Sequence, residues 1–182
     1  MPKSITTVKE LVETLKNKPP GKSYLQVLKR IDIPLDEFEK YITWNRDRYT
    51  RNCLVNTDEF ELLLVCWEKG HKSVVHDYHT HMAWVKTIKG QLKEERFMEF
   101  DGKLERVSSV HLGKEDFSYL AEPIAIHRYL NNTDDRTISL HLYAGPIEKW
   151  TEYDLDTGEA TTRNVSYDSV YKFTDSGGVR VS

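Results

Sequence analysis

The sequence predicts a mainly β fold, a small sandwich or barrel of short strands, with α-helices from the N-terminal part packed outside it. Three observations carry that expectation. Apolar residues recur at helical spacing over roughly the first 45 positions, about seven short β-type runs at regular spacing follow them, and 182 residues is the length of one domain. No internal repeat or linker divides the chain. The expected organisation is a single domain over 1–182, with helices in 1–45, the β portion in 46–165 and a C-terminal tail in 166–182, mobile at Ser176-Gly177-Gly178.

The first helix is expected to open at Thr7, because Glu10 three positions later completes a capping-box spacing, and Val8, Leu11, Val12 and Leu15 then form one apolar face. Pro19-Pro20-Gly21 should end it. Tyr24, Leu25, Leu28 and Ile31 mark a second helix, and Leu35, Phe38, Tyr41 and Ile42 a third, short one after Pro34. None of these segments carries an evident reactive group. From about residue 48 the pattern becomes β-type. Residues 60–67 read as a buried strand, residues 83–88 end at the turn Lys89-Gly90, and further strands are expected over 91–98, 104–112, 117–120, 124–130 and 137–143. Asp154-Leu155-Asp156-Thr157-Gly158 reads as another hairpin turn.

Composition narrows the function classes. A chain 38% hydrophobic and 30% charged is ordinary for a soluble globular protein. No stretch has the ~18 apolar residues of a membrane-spanning helix, and no secretory signal is evident, so a cytoplasmic location and no membrane partner are expected. A net charge of -3 argues against a nucleic-acid surface. Two cysteines, Cys53 and Cys66, exclude a disulfide framework and read as small buried residues.

Histidine is the informative residue. His76, His79 and His81 lie close together, and His127 stands on a later expected strand. Strand residues two apart project to one face, so a His-x-His pair could present two neutral imidazoles to one metal if a third ligand arrives from another strand. His71 and His111 read as bystanders. Ser139, His141 and Tyr143 alternate along one strand and should share a face, where hydroxyl, imidazole and phenol can form a hydrogen-bonded chain.

The blocks Arg48-Tyr49-Thr50-Arg51-Asn52, Cys66-Trp67 with Gly70-His71, His76-Asp77, Lys89 to Glu94, Ile126-His127-Arg128 and Ser139 to Tyr143 together resemble cysteine dioxygenase of the cupin superfamily. The resemblance runs over roughly 41–160 and keeps the order of the blocks. It implies a cupin, a small jelly-roll-like β-barrel with N-terminal α-helices outside. It also implies a thiol dioxygenase that uses Fe(II), with O2 as co-substrate, and passes both oxygen atoms to the sulfur of L-cysteine to give cysteine sulfinic acid; a monomer is expected. Such an activity belongs to cysteine catabolism and taurine biosynthesis. Under the same resemblance His76 and His127 match metal ligands, Arg51 the carboxylate-binding arginine with Tyr49 beside it, and Tyr143 the phenol next to substrate, supported by His141 and Ser139. Three neutral imidazoles would leave the charge of the ion uncompensated and favour an incoming thiolate.

The sequence departs from the family in two places. Tyr78 stands where the second metal histidine is expected. A one-residue bulge after Asp77 would turn His79 inward and give His76, His79 and His127 as the ligand set; otherwise Tyr78 faces the metal, or His79 and His81 supply the pair. Ala83 occupies the position of the cysteine that crosslinks to the tyrosine in vertebrate-type members, so no thioether can form. The readings that compete with L-cysteine oxidation are a dioxygenase of another thiol carboxylate, such as 3-mercaptopropionate, and a metal-poor cupin binding module.

Overall fold

The computed structural model describes residues 3–17, 23–78, 82–114, 116–121, 126–174 and 176–182. Helix α1 (Val8–Lys16) begins as expected: Thr7 is extended, its hydroxyl oxygen accepts from the Glu10 N–H at 3.1 Å, and the Glu10 carboxylate accepts from the Thr6 N–H at 3.0 Å. The Pro19-Pro20-Gly21 stop lies outside the described residues. Helix α2 (Ser23–Leu28) is shorter than its apolar stripe, because Ile31 leaves the helix to bridge Ile5. After Pro34 the third helix is a 3-10 helix, Leu35–Tyr41, that buries Phe38 and Tyr41. None of the described helices is long and apolar enough to cross a membrane.

Among the described residues thirteen strands follow: β1 (Thr50–Asn56), β2 (Phe60–Trp67), β3 (Val75–Tyr78), β4 (Met82–Lys89), β5 (Leu92–Phe100), β6 (Lys103–Leu112), β7 (Phe117–Ala121), β8 (His127–Leu130), β9 (Thr137–Ala144), β10 (Lys149–Tyr153), β11 (Ala160–Asn164), β12 (Ser169–Thr174) and β13 (Gly177–Arg180). They form a seven-stranded sheet, β13-β12-β1-β2-β9-β4-β7, and a six-stranded sheet, β11-β10-β3-β8-β5-β6. The jelly-roll-like barrel is therefore realised as two packed sheets rather than a closed cylinder, since among the described residues the edge strands of one sheet do not pair with those of the other. The expected strand over 124–130 is seen as β8; residues 122–125 lie outside the described set.

Alternation along the seven-stranded sheet builds two cores. Leu54, Leu62, Leu64, Cys66, Trp84, Leu140 and Leu142 point outward and are covered by Leu11, Leu15, Tyr24, Leu28 and Phe38 of the helical segments. Their strand neighbours Cys53, Leu63, Val65, Trp67, Ala83, Val85 and Tyr143 point inward against Leu92, Leu112 and Tyr129 of the other sheet. Strand β2 is apolar almost throughout because both of its faces are buried.

The C-terminal segment corrects an expectation. The tail over 166–182 is structured: β12 runs parallel to β1, with Asn52 opposite Ser169, and β13 pairs with β12. The sequence Ser176-Gly177-Gly178 suggested mobility. Gly178 instead permits close packing, since a Cβ there would lie 2.7 Å from the Tyr41 ring, which itself packs edge-on to Tyr171 at 4.8 Å. The β portion consequently extends past residue 165 to Arg180.

Candidate active site

The site lies between the sheets, where inward residues of β1, β2, β3, β8 and β9 converge. Ser139, His141 and Tyr143 share the inner face of β9, as alternation required, and are buried. Trp67 Nε1 donates to Ser139 Oγ at 2.9 Å, Ser139 Oγ meets His141 Nε2 at 2.8 Å, His141 Nδ1 lies 3.4 Å from the Tyr143 hydroxyl, and Tyr143 donates to the Tyr78 hydroxyl at 3.2 Å. The indole can only donate. Every proton in this chain is used when Ser139 passes its hydroxyl hydrogen to Nε2, His141 carries its own on Nδ1, and Tyr143 accepts from His141 and donates to Tyr78. The Tyr78 oxygen is then the terminal acceptor. Burial, reinforced by the Arg51 charge, holds His141 well below the ordinary histidine value and therefore neutral.

His76 on β3 and His127 on β8 are direct cross-strand partners, with ring centroids 4.5 Å apart. His76 Nδ1 lies 2.9 Å from the Val74 carbonyl. A carbonyl only accepts, so Nδ1 carries the hydrogen and Nε2 keeps its lone pair for a ligand. Burial and the neighbouring His127 lower His76 to about 3. Two buried imidazoles facing one another, His76 held neutral by burial, suit a divalent iron centre, and to that extent the residues fit the metal of a cupin dioxygenase.

Tyr78 lies two residues from His76 on the same face of β3, its ring 4.7 Å from His76 and 5.2 Å from His127. His79 and His81 lie outside the described residues. The pairing of β3 with β10 runs without interruption from Val75–Tyr153 to Tyr78–Trp150. The bulge after Asp77 that would have turned His79 inward is therefore absent up to Tyr78. Asp77 points away, and its Oδ2 accepts from the Tyr153 hydroxyl at 2.8 Å.

Arg51 extends along the cavity from β1, buried, with its guanidinium 4.8 Å from the Trp150 ring and 5.8 Å from the Tyr167 ring. Among the described residues its Nε and Nη2 are buried without a hydrogen-bond partner. Nη2 stands 3.8 Å from Glu61 Oε1, while Glu61 Oε2 accepts from the Ile147 N–H at 2.8 Å and the Tyr167 hydroxyl lies against the same carboxyl. Burial raises the Glu61 carboxyl, against the opposing pull of Ile147 and Arg51. Tyr49 stacks on Trp67 at 4.5 Å beside the same cavity. The space enclosed by Tyr49, Arg51, His76, Tyr78, His141 and Tyr143 is about 10 Å³, on the order of one water.

Most of the residues singled out from sequence thus come together: Tyr49, Arg51, His76, Tyr78, His127, Ser139, His141 and Tyr143. Ala83 lies directly across the ladder from Tyr143, where no sulfur is available for a crosslink. His71 stays apart, its ring bonded to the Glu68 N–H and near the Arg46 carbonyl, and His111 is exposed on β6. Cys53 and Cys66 are buried free thiols, both raised by burial. Sequence reasoning assigned no role to Glu61, Trp67 or Trp150. Glu61 did leave a signal, since it shares the parity of Leu63, Val65 and Trp67 in an otherwise apolar strand.

Residues 7–156 match the family described as Cysteine dioxygenase type I. The chain belongs to this family. It is 32% identical over 142 residues to cysteine dioxygenase type 1 of Danio rerio, covering 74% of this chain and 70% of that one, and 29% identical over 140 residues to the Homo sapiens protein with the same coverage. A solved structure from Thermus thermophilus shares the fold alone, at 12% identity and a TM-score of 0.50, over 59% of this chain and 93% of the other. Membership of the cysteine dioxygenase family makes this cupin an enzyme, a thiol dioxygenase with a small-molecule thiol substrate.

Proposed function

We propose that the protein oxidises L-cysteine to cysteine sulfinic acid, adding both atoms of O2 to the thiolate sulfur at a mononuclear iron held in part by His76 and His127. The observation that carries the substrate reading is Arg51. A buried guanidinium with Nε and Nη2 unpartnered, lining the same cavity as His76 and Tyr143, calls for a planar anion that accepts two parallel hydrogen bonds. An amino-acid carboxylate supplies it.

When bound, the ferrous ion supplies the one-electron chemistry that lets O2 react with sulfur. The chain's own residues bind and orient. Arg51 holds the carboxylate and Tyr49 adds a hydroxyl beside it. Trp67, Ser139 and His141 fix the Tyr143 phenol in register, and burial keeps that phenol protonated, with its one hydrogen directed at the Tyr78 oxygen. The reaction balances as thiolate plus O2 to sulfinate, with no proton consumed and no other oxidant.

The deciding experiment is oxygen uptake by the iron-loaded protein with L-cysteine, 3-mercaptopropionate and cysteamine in parallel, with mass spectrometry of the products. Cysteine-dependent uptake with a product two oxygen atoms heavier is expected. Uptake with 3-mercaptopropionate but not cysteine would transfer the assignment to that thiol carboxylate, and no uptake with any thiol would overturn it.

A further inference from the structure

We infer that Tyr78 supplies the third protein ligand of the metal through its phenol oxygen, so that His76, Tyr78 and His127 form a two-histidine, one-phenolate centre. The inference rests on the reading that a metal sits between His76 and His127. Among the described residues no three His, Cys, Asp or Glu side chains come together to hold a metal ion. Tyr78 places an oxygen donor against both histidines, with ring centroids at 4.7 and 5.2 Å.

Three further features point the same way. The β3–β10 register, uninterrupted through Tyr78, puts Tyr78 on the inner face with His76. The chain from Trp67 through Ser139, His141 and Tyr143 ends by donating to the Tyr78 oxygen, an arrangement that stabilises negative charge there. Arg51 lines the same cavity and adds a fixed positive charge. Metal uptake forms a metal–oxygen bond and breaks the phenol O–H bond, its proton passing to solvent. Two neutral imidazoles and one phenolate leave a ferrous ion with a single positive charge, where three imidazoles would leave two.

The test is the visible spectrum of the purified full-length chain loaded with iron and oxidised to the ferric state with ferricyanide, together with iron content by atomic absorption. A phenolate bound to ferric iron gives an intense charge-transfer band in the visible, with enhanced phenolate ring vibrations in the resonance Raman spectrum. The wild type should show both. Tyr78→Phe and Tyr78→His should lose them, the latter while retaining iron, and Tyr143→Phe should keep them. A ferric wild type with bound iron and no such band would overturn the Tyr78 assignment while leaving the iron site intact, and that result does not depend on any variant folding. A band that survives Tyr78→Phe and disappears in Tyr143→Phe would overturn it equally. Failure of the wild type to bind iron would overturn both the ligand and the metal reading on which it rests, and oxygen uptake without the band would separate the two.

Discussion

Arg51 and Glu61 face one another inside the protein with Nη2 3.8 Å from Oε1, close enough to share charge and too far apart to share a hydrogen bond. Both side chains are almost entirely buried, at 8% and 0% exposure. Glu61 is the acidic group set against a guanidinium that has two donors unpartnered among the described residues.

Glu61→Gln should therefore destabilise the protein, by about 3 kcal/mol, since breaking a buried pair strands the remaining charge. The carboxylate of bound cysteine would then replace the lost countercharge, and should raise the melting temperature of the variant more than that of the wild type. Urea unfolding and thermal shifts with and without cysteine measure both. An unchanged midpoint and equal shifts would show that Glu61 carries no such role.

Arg51→Ala should raise KM for cysteine roughly 10- to 100-fold, the loss expected of a charge-assisted hydrogen-bonded contact of about 1.5–3 kcal/mol. Arg51→Lys should restore little of it, because an ammonium cannot offer two parallel donors. Steady-state oxygen consumption gives these values. Equal turnover of cysteine and cysteamine by the wild type would sink the carboxylate clamp.

Ser139→Ala should cost about 1–3 kcal/mol, because it leaves the Trp67 N–H and His141 Nε2 buried without their partner. Trp67→Phe removes one end of the same contact, so its effect in the Ser139→Ala background should be smaller than alone. A double-mutant cycle by urea denaturation reads this coupling; strict additivity would mean that the pair is energetically independent.

Acid should destabilise the protein in two stages. His141 is held neutral by burial, so below the ordinary value of 6.5 the unfolded chain takes up a proton that the folded one refuses, and stability falls with pH. Burial opposes ionisation of Glu95, yet Lys93, Arg128 and Arg106 together lower it from 4.5 to about 2. Their contacts lie at 2.8, 2.6 and 2.8 Å. Its contribution is present above 4.5 and lost as pH falls towards 2. Urea midpoints taken against pH should fall in both windows, and Glu95→Gln should flatten only the lower one.

Gly90→Ala should lower stability by more than ~1 kcal/mol, since φ is +78° there and a Cβ would stand 2.6 Å from Thr137 Oγ1. Thermal unfolding tests it directly, and a stability equal to wild type would contradict the close approach between the β4–β5 turn and β9.

The sequence by itself determined which residues share a face. Period-two alternation placed Ser139, His141 and Tyr143 together on β9, and the Thr7–Glu10 spacing located the start of α1, because both depend on backbone geometry over a few residues. Family blocks singled out Arg51, His76 and His127 as candidates before any strand was paired. Tertiary structure decided what no local pattern contains. It showed β12 completing the seven-stranded sheet through its parallel pairing with β1, because Ser169 meets Asn52 across 117 positions of chain. It also put Glu61 against Arg51 and Trp67 beneath Ser139, contacts made by neighbouring strands whose register is fixed when a face of the sheet is buried. At Tyr78 the two levels meet: sequence left open which side chain after Asp77 turns inward, and the unbroken pairing of β3 with β10 placed Tyr78 against His76 and His127.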